Sequence, residues 1–86
     1  MSILSQSSGN WTQHSMPTGD WRGIAYGNGA FVAVNQSYNT SATSTDNGVT
    51  WTQHSMPTGD WNVVAYGNGA FVAITSSYNK SATISY

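Results

Sequence analysis

Eighty-six residues carry two basic and three acidic side chains, a net charge of −1 and no cysteine, which excludes a disulfide framework and a thiolate metal cluster. The same charge poverty argues against nucleic acid as a partner, because phosphate binding rests on clustered Lys and Arg releasing counterions. Four Trp, five Tyr and two Phe are the opposite of a disordered composition.

Residues 1–10 hold few identities with the rest of the chain and read as a degenerate edge. They lack the basic n-region and apolar h-region of a signal peptide, and no apolar run in the chain nears the roughly 20 residues of a membrane span. A soluble chain with no membrane partner is expected, its location otherwise unread. Trp11–His14 then predicts a short strand. Ser15–Asp20 predicts a loop, since Pro17 cannot donate to a ladder and Gly19 permits positive φ.

Those eleven residues, Trp11–Trp21, return unchanged as Trp51–Trp61, and residues 11–40 match residues 51–80 at 23 of 30 positions. A period of 40 belongs to architectures in which one repeat is one supersecondary unit that cannot bury its apolar faces alone. The chain therefore divides into repeat 1 (11–50) and an incomplete repeat 2 (51–86). Within repeat 1, Trp21–Tyr26 and Ala30–Val34 flank Gly27-Asn28-Gly29, a strong hairpin signal. The second of these strands is almost continuously apolar, as is Ala70–Ile74, so both of its faces should be covered. Asn35–Asn39 is a polar loop, Ser41–Thr45 a third strand, Asp46–Gly48 a turn and Val49–Gln53 a fourth strand. No helical period is visible, and the expected class is all-β.

Ser44-Thr-Asp46-Asn-Gly48-Val-Thr50-Trp51 fits the pattern Ser-x-Asp-x-Gly-x-Thr-Trp and resembles the Asp-box of sialidase-type β-propeller repeats, as found in lectin and phage tail-fibre blades. The resemblance implies four-stranded antiparallel blades with the motif between the third and fourth strands. It also implies a structural role for Ser44, Asp46, Gly48, Thr50 and Trp51, on the face opposite any ligand. Sialidase chemistry does not carry over: that family resembles a cluster of three arginines with a tyrosine nucleophile and a glutamate base, and this chain has one arginine and no glutamate.

Numbered from the inside of a blade outward, the strands run 4, then 1–2–3–4, then 1–2–3. The chain is thus two blades cut between strands 3 and 4, with an open edge at its carboxy-terminal strand and a spare Trp11 strand at the other end. Open edges recruit partners, and a head-to-tail contact closes into a ring where rotation permits. The expected partner is the chain itself. A trimer of six blades is favoured by analogy with the sialidase-type propeller, and a dimer and a tetramer are also compatible with the usual 4 to 8 blades.

In such a blade the 4-to-1 and 2-to-3 loops share one rim, which gathers Asp20, Trp21, Arg22, Tyr38 and Asn39 from the first copy and Asp60, Trp61, Tyr78 and Asn79 from the second. An aromatic platform beside short amide, hydroxyl and carboxylate groups suits a neutral sugar. Trp21 and Trp61 have a competing reading as core wedges at the start of the inner strand. His14 and His54 are one repeat position in two copies, expected to be solvated on an outer strand, and neither a metal site nor a cofactor is expected. Asp20 and Asp60 stand one blade apart, too far for the carboxylate pair of a glycosidase. The expectation is therefore a non-enzymatic, multivalent carbohydrate-binding module. Its rival is a purely structural or engineered repeat fragment that assembles without a ligand.

Overall fold

The computed structural model describes residues 9–85, so most of the degenerate edge expected over residues 1–10 lies outside the described residues. Seven strands form: β1 (Trp21–Gly27), β2 (Ala30–Asn35), β3 (Thr40–Ser44), β4 (Thr52–Ser55), β5 (Trp61–Gly67), β6 (Ala70–Thr75) and β7 (Ser81–Ser85). They make two antiparallel sheets, one of four strands in the order β1-β2-β3-β4 and one of three in the order β5-β6-β7. Among the described residues there is no helix, and hence none long and apolar enough to cross a membrane.

Both inner hairpins close on two residues, with Gly27 opposite Ala30 and Gly67 opposite Ala70. Asn28 and Gly29 both take positive φ (49° and 82°), as do Asn68 and Gly69 (55° and 86°). That is the type I′ geometry whose twist matches the flanking strands, and Asn-Gly tolerates it better than any other pair of ordinary residues. Each inner strand slips register between its first and third residues, at Trp21/Gly23 and Trp61/Val63, which turns the tryptophan relative to the strand that follows.

One expected strand is corrected. Val49–Gln53 is not the fourth strand; pairing begins only at Thr52, opposite Thr43, and runs to Ser55 opposite Thr40. The reason is local, because residues 46–51 are held in the preceding turn: the Thr50 amide donates to Asp46 Oδ1 (2.9 Å) and the Trp51 indole donates to the Gly48 carbonyl (3.0 Å). Trp11–His14 forms no strand among the described residues, and Trp11 is 97% exposed. A lone strand has no ladder to satisfy its backbone groups, and within the chain Thr52–Ser55 occupies the edge of β3 that those residues would fit.

The sheets pack face to face through β1, β2 and β5. Val32 and Val34 from the first sheet meet Trp61, Val64, Phe71 and Ala73 from the second, with Ala25, Tyr66 and Ala82 at the margin. The approach is close at Gly27, where a Cβ would fall 2.1 Å from the Tyr66 ring, and at Gly23, where it would fall 3.0 Å from the Asn62 carbonyl oxygen. Gly23 and Gly27 are therefore required by the neighbouring sheet rather than by their own backbone.

The expectation that both faces of β2 are covered holds in the first sheet: Ala30, Val32, Ala33, Val34 and Asn35 are all buried. It fails for β6, whose Phe71 and Ala73 are buried against the first sheet while Val72 and Ile74 stand exposed on the far side. No third sheet lies there among the described residues. On the opposite flank Ile24 and Tyr26 are exposed in the same way.

Candidate functional site

The antiparallel meander places the β1–β2 hairpin and the Asp46 turn at one end of the molecule. The loops 36–39, 56–60 and 76–80 gather at the other. At the first end, Ser44 and Asp46 organise the turn. The Ser44 hydroxyl donates to Asp46 Oδ1 (2.8 Å) and accepts from the Gly48 amide (2.8 Å), while Thr50 Oγ1 donates to Asp46 Oδ2 (2.6 Å). Asn47 and Gly48 both turn through positive φ (61° and 85°). The hydroxyl and amide of Thr50, followed by the Ser44 hydroxyl, hold the Asp46 carboxyl at about 2, well below its ordinary 3.8. Donors that stabilise the ionised form produce a shift of this sign.

At the loop end, each 2-to-3 loop is shaped by the side chain that closes the preceding strand. Asn35 accepts from the amides of Ser37 (3.1 Å) and Tyr38 (2.7 Å) through Oδ1, and its Nδ2 donates to Thr40 Oγ1 (2.5 Å). In the second copy Thr75 does the same with a hydroxyl, accepting from the amides of Tyr78 (3.3 Å) and Lys80 (3.2 Å). Sequence reasoning gave these positions no role. The signal available was the Asn-x-Ser-Tyr spacing of an Asx-turn, which the change to Thr75 in the second copy obscures.

The acidic residues of the rim tie neighbouring loops together. Asp20 Oδ2 accepts from Arg22 Nη2 (3.2 Å) and from the Ser37 hydroxyl (3.4 Å). Asp60 Oδ2 accepts from the Ser76 hydroxyl (2.8 Å) and Oδ1 from the Ser77 amide (3.3 Å); the Ser76 hydroxyl first, and then the Ser77 side chain, lower the Asp60 pKa. Asn39, at φ 54°, joins one sheet to the next: its carbonyl accepts from the Met56 amide (2.8 Å) and its Oδ1 from the Gly59 amide (3.0 Å). Asn79 has the same φ of 54°, but among the described residues it makes no such bonds.

Trp61 is fully buried in the core between the sheets and its indole donates to the Pro57 carbonyl (2.8 Å). Trp21 makes the equivalent bond to Pro17 (3.0 Å) from a half-buried position. Both therefore act as wedges that lock the 4-to-1 loop to the inner strand, and Trp61 offers no ring face to a ligand. Tyr38 and Tyr78 are each more than half exposed and flank the 56–60 loop, which Asn39 pins on one side and Asp60 on the other. Lys80 stands 5.5 Å from the Tyr78 ring centroid and donates to the Thr58 carbonyl (3.0 Å). Tyr38 and Tyr78 are thus the exposed aromatic groups of these loops, while Asp20, Asp60, Asn39 and Lys80 are engaged within them.

His54 lies exposed on β4 with Nε2 3.0 Å from Thr43 Oγ1. Among the described residues no group of three His, Cys, Asp or Glu side chains converges as a metal site would require. Compared with protein-family models, curated proteins and solved structures, the chain matches none of them.

Proposed function

We propose that this chain is a two-blade unit of a homo-oligomeric β-propeller that acts, without catalysis, as a multivalent lectin-like binder of neutral sugars. The observation that carries the binding reading is the recurrence of an exposed tyrosine, Tyr38 and Tyr78, on the same rim of successive sheets. Each stands on a loop pre-ordered by Asn35 or Thr75. A ring face held still beside amide and hydroxyl groups stacks on the C–H face of a sugar at low entropic cost. Repetition around a ring multiplies weak sites by avidity. The turn network of Ser44, Asp46, Gly48 and Thr50 supports the Asp-box resemblance, and the four-plus-three strand arrangement supports two blades cut between strands 3 and 4. Three copies giving six blades remain the favoured closure, with two or four as the other ring sizes.

The reading of a purely structural repeat is favoured by a different observation, the internal engagement of Asp20, Asp60 and Asn39. A glycan array separates the two. The lectin reading expects binding by the assembled protein, lost in the Tyr38→Ala/Tyr78→Ala double variant with assembly intact and retained in Asp46→Ala. No binding to any glycan, or binding that survives loss of both tyrosines, would sink it.

A further inference from the structure

We infer that the boundary between two copies of this chain is the internal boundary transposed by one repeat. Residues Thr12–Ser15 of one copy become the fourth strand of the other's β5-β6-β7 sheet, and the loop behind them completes the Tyr78 rim. The inference rests on the ring reading above and specifies its register and its composite site.

Three observations converge on it. The outer edge of β7 is unpaired among the described residues, while Thr12-Gln13-His14-Ser15 is identical to Thr52-Gln53-His54-Ser55, the segment that pairs with β3. Carrying that pairing forward by 40 residues sets Thr83 opposite the partner's Thr12, Ala82 opposite Gln13, Ser81 opposite His14 and Lys80 opposite Ser15. The donor cannot be the same copy's own strand without closing a ring of only two blades. The segment precedes β1, whereas β7 belongs to the sheet on the far side of β1.

Equivalent positions also differ in exposure in the pattern that a missing neighbour produces. Val32 is 3% exposed on the face toward the second sheet, and its repeat equivalent Val72 is 40% exposed on the outward face. Val64 is 7% exposed toward the first sheet, and its equivalent Ile24 is 58% exposed on the opposite flank. The two bare flanks are thus the two halves of the interface that already exists inside the chain. Burying such apolar surface is the main favourable term in association.

The third observation lies on the rim. Asn79 already holds the left-handed backbone of Asn39, and Asn39 uses it to accept from the Met56 and Gly59 amides. Transposed, Asn79 accepts from the partner's Met16 and Gly19 amides, so the loop between Tyr78 and the partner's Tyr38 is supplied by the partner. Trp51 shares a surface hollow with Ala33. The partner's Trp11 accordingly comes to lie by Ala73, beside the apolar groove lined by Phe71, Ala73, Ala82 and Ile84. One difference remains. Val63 stands where Gly23 permits close approach within the chain, so the inner strands are held farther apart between copies than within one.

Because the chain has no cysteine, engineered disulfides report the register directly. The 86-residue chain carrying Gln13→Cys and Ala82→Cys is oxidised, run on a denaturing gel without reductant, and weighed by native mass spectrometry; Thr12→Cys with Thr83→Cys is a second in-register pair on the other face. Gln13→Cys with Thr83→Cys is the slipped control, since a one-residue slip turns the side chains to opposite faces. The expected result is a single closed oligomer, covalent intersubunit ladders from both in-register pairs and none from the control. An oligomer that crosslinks only in the slipped pair, or in neither in-register pair, overturns the transposed boundary while leaving the ring standing. A monomer throughout overturns both.

Discussion

Val32→Ala and Val72→Ala make the same chemical change at the same repeat position, on one face that is covered inside the chain and one that is bare. Each deletes two methyl-sized groups, worth about 0.8 kcal/mol apiece when fully buried. At Val32, 3% exposed between the sheets, the transfer loss plus a partly collapsed cavity gives about 2 kcal/mol. At Val72, 40% exposed, an isolated chain should lose only about 1 kcal/mol, since the outward methyls already face water and leave no cavity. If a partner's sheet covers that flank, the cost at Val72 should rise toward that at Val32. The assay is urea unfolding of both variants at two matched protein concentrations, one well above and one well below the dissociation point, because oligomer stability is concentration-dependent. A gap of about 1 kcal/mol in the dissociated chain that narrows in the assembled protein is expected. A gap of that size persisting in the assembled protein would refute the covered flank.

The glycines give a companion test. Gly27→Ala should cost about 1–3 kcal/mol by overpacking, since its Cβ meets the Tyr66 ring, whereas Gly67→Ala meets nothing within 4 Å and should be tolerated by the dissociated chain but impair assembly; calorimetry at two concentrations reads both. Acid should act through Asp46: its folded pKa of about 2 lies below the ordinary 3.8, so its contribution is present above the unfolded value and is lost as pH falls from about 4 toward 2. Asp60, lowered in the same direction, adds to that window, and Asp46→Asn should flatten the wild-type fall in melting temperature there; an unchanged acid slope would show that the turn network is not what holds the carboxyl ionised. Asn39→Ala removes the acceptor for the Gly59 amide and should destabilise the dissociated chain by about 1–3 kcal/mol, while Asn79→Ala, at the same φ of 54° but with no such bond to lose, should cost that chain less and weaken the oligomer. Equal effects of the two on the dissociated chain would contradict the absence of Asn39-type bonds at Asn79.

How far the sequence carries can be judged residue by residue. The hairpins were legible because Asn28-Gly29 and Asn68-Gly69 demand one turn type, and that turn fixes the register of the strands on either side. The third strands were legible from their small and β-branched residues and from the repeat. The start of β4 was not legible. Thr50 and Trp51 have strand-forming side chains, and only the hydrogen bonds to Asp46 and Gly48 show that the turn holds them. Nor could the rim be weighed correctly. Asp20, Asp60 and Asn39 have the composition of a sugar site, yet they accept from Arg22, Ser37, Ser76, Ser77 and the Gly59 amide, partners 2 to 20 residues away whose approach depends on the tertiary packing of loops.

The two copies share nearly all their core residues but not their surroundings, and this separates what a residue is from what its neighbours make of it. Trp21 and Trp61 carry the same side chain and the same bond to a proline carbonyl, yet only Trp61 is sealed, because only it packs into the core between the two sheets. The seven substitutions between residues 11–40 and 51–80 include Arg22/Asn62, Gly23/Val63 and Ile24/Val64 at the inner strand, and Asn35/Thr75 and Thr40/Lys80 at the rim. None of these removes the hydrophobic faces or the loop-shaping acceptor at 35 and 75. They change the tightness of the inner contact and the charge beside the tyrosine instead: Arg22 lies near the Asp20 end of one loop and Lys80 near the Tyr78 ring of the other. A ring built from this chain would therefore alternate around its circumference between a close boundary at Gly23 and a wider one at Val63. Its tyrosines would alternate too, one beside Thr40 and the next beside a cation, so that two kinds of site rather than one would repeat around the rim.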